Sequence, residues 1–305
     1  MSVLTISTLN NEPEIRNNLF KEINFLSREG IKVNLEERLA GRFFFLNCSV
    51  DEDDSEEIQH SHEKILRYYL SNVITDVLMN QVSKIFMNRI LKHRYHCFDE
   101  DELNRIIQNA FSYLNNLYDE GDISLTLSRH HQVFTEVSHY LDDNNNLYLE
   151  GFLRFRLKDY FQEIIDSVER AVDNFLMEKE YLEFIQLLRY FVDIQQPKID
   201  EVHVLIQGKN EIYFLDEANQ PVKPDQIRGI LTDFEDEIDY EDWMLSALIT
   251  IAPRRIILHI LKHSDLIETI TSVFVNRVMV CQGCILCQHK EEPTTFATPF
   301  LKPIH

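Results

Sequence analysis

The sequence predicts an α+β protein: a small N-terminal α/β unit, a helix-rich centre, and a C-terminal α/β domain carrying a cysteine-rich turn. Three observations predict it. Gly and Pro number only 7 and 8 in 305 residues and are nearly absent from the middle, and a chain without such breakers builds long helices. Apolar residues in that middle recur at spacings of three and four, the period of one helical face. The two ends carry short β-branched and aromatic runs instead, such as RFFFLNC at 42–48 and RRIILHI at 254–260, which read as strands.

The N-terminal unit, residues 1–55, is expected to contain strands at VLTIS (3–7), IKVNL (31–35) and RFFFLNC (42–48) around a helix from Glu14 to Arg28. The helical region, 56–197, begins with an unbroken stretch from Glu56 to His93. Within it Leu66, Tyr69, Leu70, Val73, Val77, Leu78, Val82, Ile85 and Phe86 share a face. Ser55 is the expected N-cap, and Glu56 and Glu57 follow where the helix dipole favours acids. Asp99 to Tyr118 reads as a second amphipathic helix. Phe152 to Gln196 forms a third apolar stripe, one very long helix or two, with a break expected near Met177 to Glu180. Isolated helices are marginal in water, so these stripes should pack on one another.

In the C-terminal domain, 198–305, VHVLIQ and EIYFLD flank Gly208, Lys209 and Asn210, which is a hairpin signature. Further on, RRIILHI, a helical Ser264 to Phe274 and NRVMV give strand, helix, strand. That order suits a parallel pair joined by a crossover.

Composition narrows the function classes. Hydrophobic residues at 44% make a globular chain. Thirty Lys plus Arg against 51 Asp plus Glu leave a formal charge of −21, which repels phosphate backbones and anionic lipids. No nucleic-acid partner is expected; the basic groups Arg89, Lys92 and Arg94, and Arg254 with Arg255, are modest, and the first three suit a helix C-terminus. No membrane partner is expected either: the longest apolar run, Trp243 to Pro253, is too short to span a bilayer. The N-terminus MSVLTISTLNNEPE lacks a basic region followed by an apolar core, so a cytoplasmic location is expected. Five cysteines, an odd number, fit that reducing compartment.

The seven glycines are scattered, leaving no phosphate cradle, and neither HExxH nor GxSxG occurs. This favours a non-enzymatic role and assigns no catalytic residue. The acidic runs at 51–57 and 233–242 lack EF-hand spacing and read as solvated faces. The pairs His60 and His62, His93 and His96, and His259 and His263 are of the kind that chance supplies among 12 histidines.

One segment does have metal-like spacing. VCQGCILCQH, 280–289, holds Cys281, Cys284 and Cys287 as two overlapping CxxC pairs, directly after the expected strand NRVMV. A tight turn there can aim the thiolates at one point, with Gly283 helping the bend, at a strand's carboxyl end where α/β sheets hold ligands. For zinc, the remaining ligand would be His289 or the distant Cys97. An iron–sulfur cluster is the other cofactor the spacing suggests, although Glu291 stands where a ferredoxin run has its fourth cysteine. A dithiol redox pair and ordinary reduced thiols complete the alternatives.

The segments ALITIAPRRIILH, 247–259, and NRVMVCQGCILC, 276–287, resemble the YtxC-like family of sporulation proteins of Firmicutes. The likeness is strongest over the C-terminal third. It implies a bacterial cytoplasmic setting and a sporulation-associated interaction or regulatory protein with a protein partner. It carries over no catalytic residues. Cys281, Cys284 and Cys287 match the cysteine-rich C-terminal segment that the resemblance implies, without assigning a ligand.

Overall fold

The computed structural model describes residues 3–9, 13–28, 32–50, 56–115, 123–207, 211–222, 240–259 and 265–288. The chain forms two compact units that divide between Leu176 and Met177. Each has its own hydrophobic core and its own four-stranded sheet.

In the N-terminal unit the sheet order is β2-β3-β1-β4, with β1 at Leu4–Leu9, β2 at Val33–Ala40, β3 at Phe43–Val50 and β4 at Asn146–Tyr148. Period-two alternation aims Leu4, Ile6, Phe44, Leu46 and Cys48 inward, where they join Ile15, Leu19 and Ile23 of α1 (Pro13–Arg28) in the core. Gly41 takes φ +61° between β2 and β3, at no steric cost for a residue without Cβ. The exposed outer strand β2 carries Glu36, Glu37 and Arg38, which discourage edge-to-edge pairing. β4 comes about a hundred residues later, yet runs parallel to β1, with Ile6 opposite Leu147. Two anchors hold it there. Arg67 of α2 (Glu56–Val77) donates to the Leu141 carbonyl and, at 2.6 Å, to Asn145 Oδ1. Just after β4, buried Glu150 accepts hydrogen bonds from Thr8 Oγ1 (2.9 Å) and the Leu9 amide (2.8 Å).

The apolar stripe predicted for 56–93 is present, with one irregularity. A π-helical turn at Leu78–Val82 separates α2 from α3 (Ser83–Arg94). Buried Ser83 bonds the Leu78 carbonyl at 2.8 Å and meets the Tyr160 hydroxyl at 3.1 Å, so side chains accompany the widened turn. Helix α4 (Glu100–Leu114) starts where expected, on an Asp99 capping box: Asp99 Oδ1 accepts from the Glu102 amide, and Glu102 Oε2 accepts from the Asp99 amide. Helix α5 (Ile123–Asp143) packs on α2, as does α1, and α6 (Leu149–Phe155) leads into α7. The predicted N-cap Ser55 and the acidic stretch 51–55 lie outside the described residues.

Helix α7 runs unbroken from Lys158 to Ile194. The break expected near Met177 to Glu180 is absent, because Met, Glu, Lys and Glu interrupt the apolar stripe while remaining good helix formers. The division between the units falls within this helix.

The C-terminal sheet has the order β6-β5-β7-β8. β5 (Ile199–Gln207) and β6 (Glu211–Asp216) form the predicted antiparallel hairpin, whose turn at 208–210 lies outside the described residues. β7 (Pro253–His259) runs parallel to β5 and follows α8 (Tyr240–Ile251); α9 (Asp265–Phe274) then crosses to β8 (Val278–Val280), parallel to β7. One face of the sheet, with Val202, Val204, Ile212, Phe214, Ile256 and Leu258, packs in a core with Trp243, Met244, Leu248 and Ile270. Strand alternation sends Glu201, His203 and Leu205 of β5, and Arg255, Ile257 and His259 of β7, to the opposite face. Among the described residues no helix is long and apolar enough to cross a membrane.

Candidate metal centre

β8 delivers the cysteines beside the end of β7. The Cys281 amide donates to the Leu258 carbonyl at 2.9 Å, which continues the parallel ladder one residue past β8. The chain then bends at Gly283, whose φ of +116° is rarely adopted by residues with a side chain, and its amide lies 3.4 Å from Cys281 Sγ. A single helical turn, α10 (Ile285–Gln288), follows. The Cys287 amide donates to the Cys284 carbonyl at 3.1 Å, so these two residues, three apart, turn their sulfurs to the same side. Leu286 of this turn packs on Leu205, Tyr213 and Leu215.

The sulfurs therefore converge. Cys287 Sγ stands 3.7 Å from Cys281 Sγ and 3.9 Å from Cys284 Sγ. A fourth donor completes the group: His259 Nδ1 lies 3.2 Å from Cys287 Sγ and 3.4 Å from Cys284 Sγ. All four donor atoms fall within 4.8 Å of one another. His259 is buried and the three cysteines are half-buried. No second group of three or more His, Cys, Asp or Glu donors comes together among the described residues.

The other nitrogen of His259 faces away from the sulfurs. Nε2 lies 2.9 Å from His203 Nδ1, His203 Nε2 lies 3.3 Å from Glu201 Oε1, and Arg255 forms an ion pair with Glu201 Oε2 at 3.1 Å. Burial, reinforced by the neighbouring His203, lowers the His259 pKa and favours the neutral imidazole that a metal requires. For Cys284, burial would raise the pKa. Hydrogen bonds from the Cys287 and Leu286 backbone and from the Cys281 and Cys287 thiols outweigh it and favour the thiolate. Cys287 is pushed up by burial and by the adjacent sulfurs. The thiolate is thus favoured at Cys284 over Cys287.

Cys281, Cys284 and Cys287 meet as their spacing suggested. Of the two residues proposed beside them, His289 lies outside the described residues, and Cys97 is exposed in the N-terminal unit, in the turn after α3. Among the described residues the donor beside the three sulfurs is His259. In the sequence it stands out only as a neighbour of His263, which lies outside the described residues; its signal is its place near the end of RRIILHI, the strand expected to pair with NRVMV. Of the basic groups, Lys92 pairs with Glu100, Arg94 with Glu169, Arg254 with Asp200 and Arg255 with Glu201.

Fold and site together define an α+β protein whose C-terminal sheet carries a three-cysteine, one-histidine cluster. Residues 68–279 match the model of the YtxC-like family, and the chain belongs to that family. It is similar to "Uncharacterized protein YtxC" of Bacillus subtilis (strain 168), at 33% identity over 187 residues. That alignment covers 60% of this chain and 66% of the relative, just under two thirds of its length. No solved structure matches. The family match includes Glu201, His203 and His259 and ends at residue 279, ahead of Cys281.

Proposed function

We propose that the C-terminal unit binds one zinc ion through Cys281, Cys284, Cys287 and His259, and that the ion clips the C-terminal turn to the end of β7. The observation that carries this reading is the spacing of the four donors. A tetrahedral zinc ion, with Zn–S of about 2.3 Å and Zn–N of about 2.0–2.1 Å, holds its sulfurs about 3.8 Å apart and its S···N pairs about 3.5 Å apart. Two of the three S···S separations, 3.7 and 3.9 Å, and two of the three S···N separations, 3.2 and 3.4 Å, agree with that geometry, and the other two pairs lie within 4.8 Å. A cubane cluster would spread its cysteines over separate irons and separate the sulfurs more widely. Four protein donors leave no open position, which favours a structural ion over a catalytic one. A three-residue strand and a four-residue helix hold little structure by themselves, so a clip there has an evident use.

We further propose the setting that the resemblance of residues 247–259 and 276–287 to sporulation proteins supports: a cytoplasmic protein that serves sporulation through contact with a protein partner. Deleting its gene in a spore-forming host is expected to lower spore yield while leaving vegetative growth near normal; unchanged spore yield and quality would count against this setting.

The metal reading is tested by elemental analysis of anaerobically purified full-length protein. About one zinc per chain is expected, with most of it lost from Cys284→Ser and His259→Ala. Iron with acid-labile sulfide would replace the zinc reading by a cluster. Metal-free protein with three freely titrating thiols would defeat both.

A further inference from the structure

We infer that His203 and Glu201 are positioning residues for the metal centre: they hold the proton of His259 on Nε2 and so keep Nδ1 free to bind the ion. This rests on the metal reading above and extends it to two residues that touch no metal.

Donors and acceptors along one line of atoms must match. His259 presents Nδ1 to the sulfurs of Cys284 and Cys287 and Nε2 to His203 Nδ1. A neutral imidazole has one donor and one acceptor nitrogen. To give the Nδ1 lone pair to a metal, His259 must carry its proton on Nε2, and that N–H then needs an acceptor. His203 Nδ1, 2.9 Å away, is that acceptor only if His203 carries its own proton on Nε2. Glu201 Oε1, 3.3 Å from His203 Nε2, is placed to receive it, while Arg255 holds the other carboxylate oxygen at 3.1 Å. With the metal bound, one assignment suits every contact: His259 Nε2–H donates to His203 Nδ1, and the proton on His203 Nε2 faces the Glu201 carboxylate. With both tautomers reversed, the His259–His203 contact is still satisfied, but a proton points at the sulfurs and no lone pair is available there.

Strand geometry builds this line. Glu201 and His203 occupy successive same-face positions on β5, and Arg255 and His259 share that face on β7. Glu201 is directly opposite Arg255 in the parallel register. The side chains of His203 and Glu201 are only 13% and 16% exposed, so water competes weakly for the contacts. A carboxylate at the end of such a line makes the ligand nitrogen a better donor, and losing an outer partner of this kind typically costs about 10–100-fold in metal affinity.

The test uses full-length protein, stripped of metal and reloaded with Zn2+ in competition with a chromophoric chelator, and with Co2+ as a spectroscopic probe. His203→Ala is expected to weaken Zn2+ binding by about 10–100-fold and to shift the visible Co2+ bands, with secondary structure retained. His203→Asn, whose Oδ1 can stand in for Nδ1 as the acceptor, is expected to recover much of the affinity and the wild-type Co2+ spectrum. A merely space-filling role would be served as well by His203→Leu, and that variant is expected to recover neither. Histidine ring 15N shifts of the zinc-loaded wild type provide a check that needs no variant: His259 should be metal-bound at Nδ1 and protonated at Nε2. Wild-type affinity and spectrum in His203→Ala, or ligation through Nε2, would overturn the positioning role while leaving the metal site standing. Wild-type protein that takes up neither Zn2+ nor Co2+ would overturn both.

Discussion

Cys48 and Cys97 are the same residue in opposite surroundings. Cys48 points into the N-terminal core from β3, fully buried, and burial pushes its pKa up to about 12; Cys97 is exposed in the turn after α3. Only a thiolate reacts readily. A maleimide or disulfide reagent at neutral pH is therefore expected to modify Cys97 rapidly and Cys48 only on unfolding, which mass spectrometry of labelled peptides will show. Burial of Cys48 also has a pH consequence, with a definite sign. The folded pKa is raised, so the stability linked to this thiol is fully present below pH 9 and is lost as pH rises from about 9 towards 12, where the unfolded chain ionises and the native one does not. Tyr160 adds to this from pH 10: burial raises its hydroxyl to about 12, against the opposing hydrogen bond with Ser83. In that window each such group should remove about 1.4 kcal/mol per pH unit. Denaturant unfolding at pH 8 and pH 10.5 measures the loss, and Cys48→Ala should flatten the dependence while lowering stability at pH 8.

Elements here begin and end for local reasons that single residues carry. The capping box at Asp99 satisfies two amides at the start of α4, one through each carboxylate, and Asp101 adds a further favourable charge in the first turn. Asp99→Ala should cost about 1 kcal/mol, within a range of about 0.5–2, read as a lower midpoint of denaturant unfolding. Asp99→Asn, which retains an acceptor oxygen, should restore most of it. At the other end of the chain, β8 and α10 have almost no local support. A non-glycine residue at positive φ, Val275 at +41°, stands three residues ahead of the start of β8, and Gly283 occupies an even less accessible region. Nothing lies within 4 Å of a Cβ built at Gly283, so space does not oppose a side chain there; backbone conformation does.

Two cores in one chain allow the whole molecule to be followed unit by unit. Trp243 is the sole tryptophan, and it is buried in the C-terminal core beside Phe214. Its fluorescence reports that unit. Binding and folding are linked at a metal site assembled from distant segments, so chelating the metal should lower the midpoint followed by tryptophan emission. The helix-dominated far-UV signal of the N-terminal unit should keep its midpoint. An equal fall in both signals would contradict this assignment of the metal to the C-terminal unit, and no fall in either would contradict a structural ion.

Much of this architecture is local and therefore legible in the sequence. The three-and-four spacing of Leu66, Leu70, Val73 and Val77 marks α2 because helical periodicity belongs to the chain itself. The hairpin of β5 and β6, the order of β7, α9 and β8, and the crowding of Cys281, Cys284 and Cys287 are equally short-range. What tertiary structure decided depends on pairing between distant segments. Leu147 stands beside Ile6 because Arg67 and Glu150 hold β4 against β1. His259 became the fourth donor because β7 ends level with the turn after β8, and His203 and Glu201 joined it through the register of β5 on β7. Register is set by which faces are buried, and a shift of one residue would turn every one of these side chains to the other side of the sheet. Spacing along the chain thus determined which thiols could meet; the parallel register determined which imidazole meets them.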